Sequence, residues 1–252
     1  MKNRILFYAA FLCLLIGCSG DGSSDTVTNG EGGIDKGDGQ GGSLAVFALV
    51  GDYLYTVDRT NLNVFSLAIE SEPVKVNTVG IGNDIETLFA RDNFLYIGSQ
   101  DGMYIYSLAN PESPVMVSAV QHFTACDPVV ANGTHSFVTL HSNTFCGNMV
   151  NVLNIYNTTD PSNPVLVYTE ELTYPKGLGL YGNYLFVCDD VIKIFDVTDP
   201  EHPVAAGTIN KVCFDVIIRG DDLFAVGENG LSRYQLNPTD ISNITFKSDI
   251  PF

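Results

Sequence analysis

The 252-residue chain contains no tryptophan, and its 12 lysine and arginine residues are far outnumbered by 29 aspartate and glutamate residues. The formal net charge of -17 repels nucleic-acid phosphates and anionic lipid headgroups, so no nucleic-acid partner is predicted. The absence of tryptophan weakens a carbohydrate-binding hypothesis, because tryptophan is the usual surface on which sugars stack. Cations, basic proteins and neutral glycans remain as possible partners.

Motifs that would indicate a particular catalytic chemistry are also missing. No G-x-S-x-G sequence is present for a serine nucleophile, and the close C-x2-C and H-x3-H spacings of zinc sites are absent. The many acidic residues single out no acid-base pair. The sequence therefore predicts no enzyme, no catalytic residue, no resident metal and no cofactor.

The chain has little helical periodicity and no long hydrophobic run. No window after the leader repeats apolar residues at 3.6 with capping residues, so no helix is predicted there. The apolar run at residues 5–16 is too short to span a bilayer core of about 30 Å. It follows Lys2 and Arg4, and this combination is typical of an export signal.

The end of this leader, Leu15-Ile16-Gly17-Cys18, resembles the bacterial lipobox. The resemblance implies that the chain is cut just before Cys18 and that a lipid is attached to this cysteine, which makes 1–18 a lipoprotein signal peptide. The alternative is a plain signal peptide cut after Cys18. The predicted location is the bacterial cell envelope, with the membrane contacted only through the N-terminal lipid.

Residues 19–42 are dominated by glycine, serine, aspartate and threonine and contain no aromatic residue. Such a segment buries too little apolar surface to offset its ordering entropy, so it is predicted to be a flexible tether with a reach of about 25–30 Å. The leader carries two basic residues, and the tether carries five acids and one lysine, which leaves -15 on residues 43–252.

Residues 43–252 contain a repeat of about 40 residues. An aromatic residue recurs at steps of 41, 50, 39 and 39, and in four copies a proline follows it by 8 residues. The aromatic positions are Phe65, Tyr106, Tyr156, Phe195 and Tyr234. Because they recur at one repeat position, we interpret them as packing residues of the fold.

Each copy has room for four short strands rich in Val, Ile, Tyr and Phe and bounded by Gly, Asn, Asp and Pro. In the second copy the strands are predicted near 86–90, 95–98, 104–108 and 115–120. The pattern predicts an all-β fold, a five-bladed β-propeller of about 42-residue four-stranded repeats. The repeats are placed near 43–80, 81–120, 121–170, 171–210 and 211–252, and the terminal copies are predicted to share no strand.

The pattern L-[YF]-[VI]…[VI]-[FY]-x-[VL]…[DN]-P-x-x-P-V resembles the LVIVD repeat of bacterial and archaeal surface proteins, most closely at 185–204. The resemblance covers roughly 43–252 and implies a propeller-like fold. It implies no catalytic activity and supplies no functional residues. The fifth copy has Ser242 where the others have the second proline.

Four cysteines, Cys126, Cys146, Cys188 and Cys213, follow the leader. In a propeller, the loops that enter first strands and those that leave second strands emerge at one end of the ring, so all four sulfurs are predicted on one face. Export favours disulfides, and we predict Cys126–Cys146 and Cys188–Cys213, although four cysteines allow three pairings. A zinc site that adds His122 and His141 is the alternative.

The same face is the predicted binding face. It should carry acidic residues near the channel mouth, which either bind a cation such as calcium or are solvated loop carboxylates. An insertion at 142–151 supplies aromatic and polar residues and is either a binding loop or neutral variation in loop length. The candidate residues are His141, Asn143, Thr144, Phe145, Asp127, Asp189, Asp190, Asp215 and Glu228.

We therefore predict a non-catalytic, lipid-anchored cell-envelope propeller that binds an unknown protein or glycan partner through its loop face, and we expect it to be a monomer. The first alternative is a metal-binding protein or a hydrolase-like enzyme with its site at the channel mouth. The second alternative is a structural component of a surface assembly. An enzyme site requires titratable groups that converge away from solvent, whereas an interaction face requires exposed apolar area.

Overall fold

A computed structural model describes residues 42–69, 71–121, 128–141 and 150–252. The leader, Cys18 and the tether up to residue 41 lie outside these ranges, so the predictions for them stay predictions. In the described residues the chain forms twenty β-strands and no helix. In that same part of the chain, no helix is long and apolar enough to cross a membrane.

The strands are grouped in chain order into five antiparallel four-stranded sheets, the blades. Blade 1 has β1 (Phe47–Val50), β2 (Tyr53–Val57), β3 (Asn61–Ser66) and β4 (Val74–Gly80). Blade 2 has β5 (Ile85–Arg91), β6 (Phe94–Ser99), β7 (Gly102–Ser107) and β8 (Val115–Gln121). Blade 3 has β9 (Val129–Ala131), β10 (His135–Leu140), β11 (Val152–Asn157) and β12 (Val165–Glu171). Blade 4 has β13 (Leu178–Tyr181), β14 (Tyr184–Cys188), β15 (Ile192–Asp196) and β16 (Val204–Ile209), and blade 5 has β17 (Asp215–Arg219), β18 (Asp222–Gly227), β19 (Gly230–Gln235) and β20 (Thr245–Pro251).

The predicted five-bladed, four-stranded β-propeller is confirmed. The first strands of consecutive blades contact each other in the order β1, β5, β9, β13 and β17, so the blades follow one another around the ring. Blade 1 and blade 5 are each built from consecutive strands, and no strand passes between them. The first and fifth blades therefore share no strand, as the sequence predicted.

The repeated aromatic residue marks a β-bulge in every blade. The pairing between the third and fourth strands shifts by one residue at Val64/Phe65, Ile105/Tyr106, Ile155/Tyr156, Ile194/Phe195 and Arg233/Tyr234. A bulge bends a strand and increases its twist. Four of these aromatic side chains are buried and Phe65 is half-buried, in agreement with their predicted packing role.

In blades 3 and 4, an aspartate side chain binds the backbone of the turn that leads into the fourth strand. Asp160 Oδ1 accepts the amide N–H of Ser162 at 3.0 Å, and Asp199 Oδ1 accepts that of Glu201 at 3.1 Å. Asparagine and aspartate favour such turns because their oxygen reaches the backbone two residues ahead. Asp160 and Asp199 therefore stabilise the turns that lead into the fourth strands of blades 3 and 4.

Apolar packing joins the blades around most of the ring. One cluster of buried residues joins blade 1 to blade 2, a second joins blades 2, 3 and 4, and a third joins blade 4 to blade 5. Among the described residues, no such cluster joins blade 5 to blade 1. The junction between these two blades, which we call the seam, is held differently.

We expect Phe137→Ala to lower the free energy of unfolding by about 3–5 kcal/mol, because a large side chain is lost from a closely packed core. Phe137 is fully buried in the cluster that joins blades 2, 3 and 4. Urea unfolding measures the change. The control, Val115→Ala, alters a side chain that is 62% exposed and should stay within about 0.5 kcal/mol. Equal effects of both substitutions would contradict the central role of this cluster.

Candidate functional site

The first strand of each blade begins, and the second strand ends, at one end of the ring. Cys188 ends β14 and Cys213 lies two residues before β17, and they form a disulfide with a Cα–Cα distance of 5.6 Å. We call this end of the ring the disulfide face. The predicted Cys188–Cys213 bond is therefore present in the structure. Cys126, Cys146 and His122 lie outside the described residues, so the second pairing stays a prediction.

Residues 42–45, the hub segment, precede β1 and reach across the ring. Leu178 of blade 4 donates its amide N–H to Ser43 Oγ at 2.7 Å, and Leu88 of blade 2 donates to the Ala45 carbonyl at 2.7 Å. Blade 4 is not a neighbour of blade 1 in the ring. Ser43 is fully buried. The hub segment therefore occupies the centre of the propeller at the disulfide face.

Asp215, the first residue of β17, binds the hub segment to blade 5. Its Oδ1 accepts the Ser43 hydroxyl at 2.9 Å, and its Oδ2 accepts the Leu44 amide N–H at 3.1 Å. Burial raises the pKa of Asp215 from 3.8 to about 6, although the donors of the hub segment favour the ionised carboxylate. The sequence predicted Asp215 as a binding-face residue, whereas in the structure the hub segment covers it.

Two glycines leave room for this carboxylate. A Cβ at Gly42 would lie 2.0 Å from Asp215 Oδ2, and a Cβ at Gly177 would lie 2.2 Å from Asp215 Oδ1 and 2.7 Å from its Cα. Cβ atoms do not approach other atoms this closely, so both positions require glycine while Asp215 keeps its place. The centre of the ring is therefore packed around one carboxylate.

Asp189, which follows β14, is a second buried carboxylate on the disulfide face. It accepts the amide N–H groups of Thr173 and Tyr174, and Lys193 Nζ lies 2.5 Å from its Oδ2. Burial by itself would raise the pKa of Asp189, but the Lys193 ammonium and the two amides outweigh it and lower this pKa. Asp189 thus fixes the loop that carries Tyr174 onto blade 4.

Two aromatic rings lie close to one lysine on this face. The Lys176 Nζ lies 4.9 Å from the centroid of the Tyr174 ring and 4.7 Å from that of the Phe214 ring. The His141 ring packs edge-on against Tyr174 at 5.6 Å between centroids. A cation within about 6 Å of a ring face is attracted by the negative potential of the ring. These residues come from blade 3 and from the loops that lead into blades 4 and 5.

Exposed apolar side chains adjoin this group at the seam. The amide of Leu44 binds the carboxylate of Asp215, the residue that follows Phe214 in the chain. We call the exposed side chains that precede or begin β1 and β17 the seam patch. Its members are Leu44 (41% exposed), Val46 (49%), Phe47 (45%), Val212 (61%) and Phe214 (39%).

The remaining predicted residues of this face are dispersed. Asp190 and Glu228 are exposed on the loops that follow β14 and β18, and Lys193 Nζ lies 3.5 Å from Asp190 Oδ1. Asp127, Asn143, Thr144 and Phe145 lie outside the described residues. Within the described ranges, no three His, Cys, Asp or Glu side chains are grouped in a way that could hold a metal ion.

Sequence reasoning missed Ser43, Tyr174, Lys176 and Phe214. Tyr174, Lys176 and Phe214 lie in links between the last strand of one blade and the first strand of the next, where the repeat pattern assigns no role. A lysine between two aromatic residues is not visible in sequence when one ring is 38 residues away. The glycines at 42 and 177 were the available sequence signal for close packing at the ring centre, because each precedes the first strand of a blade.

The fold defines the class of protein as a five-bladed β-propeller built from four-stranded repeats. Within that class, residues 174–211 match the family model of the LVIVD repeat, so the region of blade 4 carries this repeat, as its sequence pattern predicted. No curated protein sequence matches the chain.

Several solved structures share the fold. A protein from Lactobacillus plantarum is 15% identical with a TM-score of 0.62, and the match covers 81% of this chain and 70% of that one. A periplasmic gluconolactonase from Pseudomonas aeruginosa is 12% identical with a TM-score of 0.62, over 80% of this chain and 68% of that one. A chain of a mitotic checkpoint complex is 14% identical with a TM-score of 0.58, over 80% of this chain and 64% of that one. The chain thus spans only about two thirds of the length of these proteins, and identities this low show a common fold alone.

We expect Gly177→Ala to destabilise the protein by about 1–3 kcal/mol, because the added methyl group would overlap both the carboxylate and the backbone of Asp215. Gly80→Ala is the matched control, since a Cβ at Gly80 meets nothing within 4 Å and should change stability by less than about 0.5 kcal/mol. Thermal and urea unfolding measure both variants. A Gly177→Ala protein as stable as the wild type would show that the hub is loosely packed.

The pKa of Asp215 predicts a pH dependence of stability. The pKa of Asp215 is about 6 in the folded protein, above the ordinary 3.8. The protonated carboxyl group therefore contributes fully to the free energy of unfolding below about pH 3.8, and this contribution is lost as the pH rises through 6. Relative to Asp215→Asn, which cannot ionise, the wild type should lose about 2 kcal/mol between pH 4.5 and 7.5. Urea unfolding of both proteins at several pH values gives this difference, in which the contributions of other groups cancel. A difference that does not change with pH would contradict the assignment.

Proposed function

We propose that this chain is a non-catalytic, lipid-anchored binding module of the bacterial cell envelope that engages a protein partner through the seam patch. The observation that carries the proposal is the exposure of the apolar and aromatic side chains of the seam patch, which precede or begin β1 and β17. Exposed apolar patches rimmed by polar residues are typical of interaction sites on soluble domains.

The use of the buried acids on this face favours binding over catalysis. A catalytic carboxylate must reach a substrate, whereas Asp215 is covered by the hub segment and Asp189 accepts two backbone amides and a lysine. The raised pKa of Asp215 by itself would suggest a functional acid. Its hydrogen bonds to Ser43 and Leu44 give it a structural role instead.

Two further observations support the envelope location. Disulfides persist mainly in oxidising compartments, and Cys188–Cys213 is such a bond. The segment Leu15-Ile16-Gly17-Cys18 resembles a lipobox and supplies the proposed anchor at Cys18. The tether between Cys18 and the hub segment would allow the propeller to meet a partner away from the membrane surface.

Site-specific photo-crosslinking tests the proposal. A benzophenone amino acid replaces Val212 in the full-length chain, in cells that carry the protein natively, and crosslinked peptides are identified by mass spectrometry. We expect a discrete crosslinked partner, because Val212 lies in the seam patch and is 61% exposed.

The matched control places the same amino acid at Val204. This valine is 65% exposed but begins β16, at the opposite end of the ring. The partner should be absent from the Val204 products. The same adducts from both positions, or no adduct from Val212, would overturn the proposal.

A further inference from the structure

Lys176 is a positive charge on a strongly acidic domain, and its surroundings differ from those of Lys193 and Lys211. Lys193 has Asp189 and Asp190 as ion-pair partners, and Lys211 has Asp249 at 3.7 Å. Among the described residues, no carboxylate forms an ion pair with Lys176. Its ammonium instead lies near the rings of Tyr174 and Phe214.

The main chain holds Lys176 in place independently of its charge. Its amide N–H donates to the Cys188 carbonyl at 2.7 Å, and its own carbonyl accepts the Thr139 hydroxyl at 2.5 Å. The Cys188–Cys213 disulfide links the backbone that holds Lys176 to the backbone that carries Phe214. The Cys188 carbonyl accepts the Lys176 amide N–H, and Cys213 directly precedes Phe214. The ammonium group is therefore presented from a rigid frame.

We propose that Lys176 is a recognition point for a carboxylate that is joined to an apolar group, such as the C-terminal residue of a protein partner. This inference rests on the proposed binding function of the seam patch and names the chemistry of its partner. The ammonium provides N–H donors for the carboxylate, and the rings of Tyr174 and Phe214 provide the apolar surface beside it.

The charge of the domain selects a carboxylate over a phosphate. Residues 43–252 carry a net charge of -15, which repels a doubly charged phosphate more strongly than a singly charged carboxylate. The rings of Tyr174 and Phe214 also favour a carboxylate over a phosphate, since they offer apolar contact and no further N–H donors for additional phosphate oxygens. Because Lys176 attracts the carboxylate while the acidic domain repels other anionic groups, partners with few acidic groups are also favoured.

N-acetyl-leucine and its neutral analogue N-acetyl-leucinamide test this chemistry. They differ only in the carboxylate, and their binding to the full-length protein is followed by the backbone amide NMR signals of Tyr174, Lys176 and Phe214. We expect saturable shifts with the acid and about tenfold weaker binding of the amide. Equal affinity for the acid and the amide would overturn the inference.

Three variants assign the effect to the charge of Lys176. Lys176→Met keeps an unbranched side chain between the rings but removes the charge, so it should bind the acid about tenfold more weakly. Lys176→Arg keeps the charge and should retain binding. Lys75→Gln, on β4, removes a lysine from outside this face and should have no effect. Unchanged binding of the acid by Lys176→Met would contradict the proposal.

The two proposals fail in distinguishable ways. A crosslinked partner at Val212 without any preference for N-acetyl-leucine over its amide would keep the binding module and overturn the role of Lys176. A preference for the acid that depends on Lys176, without a crosslinked partner, would support the carboxylate site and overturn the protein-partner function. Far-UV circular dichroism and thermal unfolding verify that each variant is folded.

Discussion

The hydrogen bonds of the Asp215 carboxylate to Ser43 and Leu44 join the two ends of the propeller. Elsewhere in the ring, neighbouring blades are joined by buried apolar side chains, whose association with one another removes apolar surface from water. The seam has no such cluster among the described residues. A buried carboxylate costs free energy unless it is well hydrogen-bonded, so the hub segment and Asp215 require each other.

This polar closure also explains why the disulfide face has apolar side chains in the solvent. Blade 1 and blade 5 do not bury Leu44, Phe47 or Val212 against each other, because a carboxylate and a short backbone segment make the junction. The same closure fills the ring centre, where an open channel would otherwise give access to polar groups. The proposed function therefore rests on the exposed apolar side chains near the hub segment.

The disulfide and Asp189 fix the geometry of that patch. Asp189 binds the backbone of Thr173 and Tyr174, and Cys213 is tied to Cys188 immediately before Phe214. Loops on a rigid scaffold commonly carry binding residues. The two aromatic rings beside Lys176 are thus held by covalent and polar contacts, which lowers the entropy that a partner would have to remove on binding.

The repeat and the four strands of each blade could be predicted from the sequence alone, and the repeat positions of the cysteines favoured the Cys188–Cys213 pairing among the three that are possible. These features depend on local patterns or on positions equivalent by the repeat, which a period of about 40 residues makes readable. The contact of Ser43 with Asp215, 172 positions away, and the approach of Lys176 to both Tyr174 and Phe214 could be seen only in the folded protein. These contacts break the repeat: closing a ring brings together chain ends that no periodic pattern relates. Two of the acids predicted at the channel mouth, Asp189 and Asp215, therefore form internal contacts of the fold, and links between blades carry several of the exposed apolar side chains.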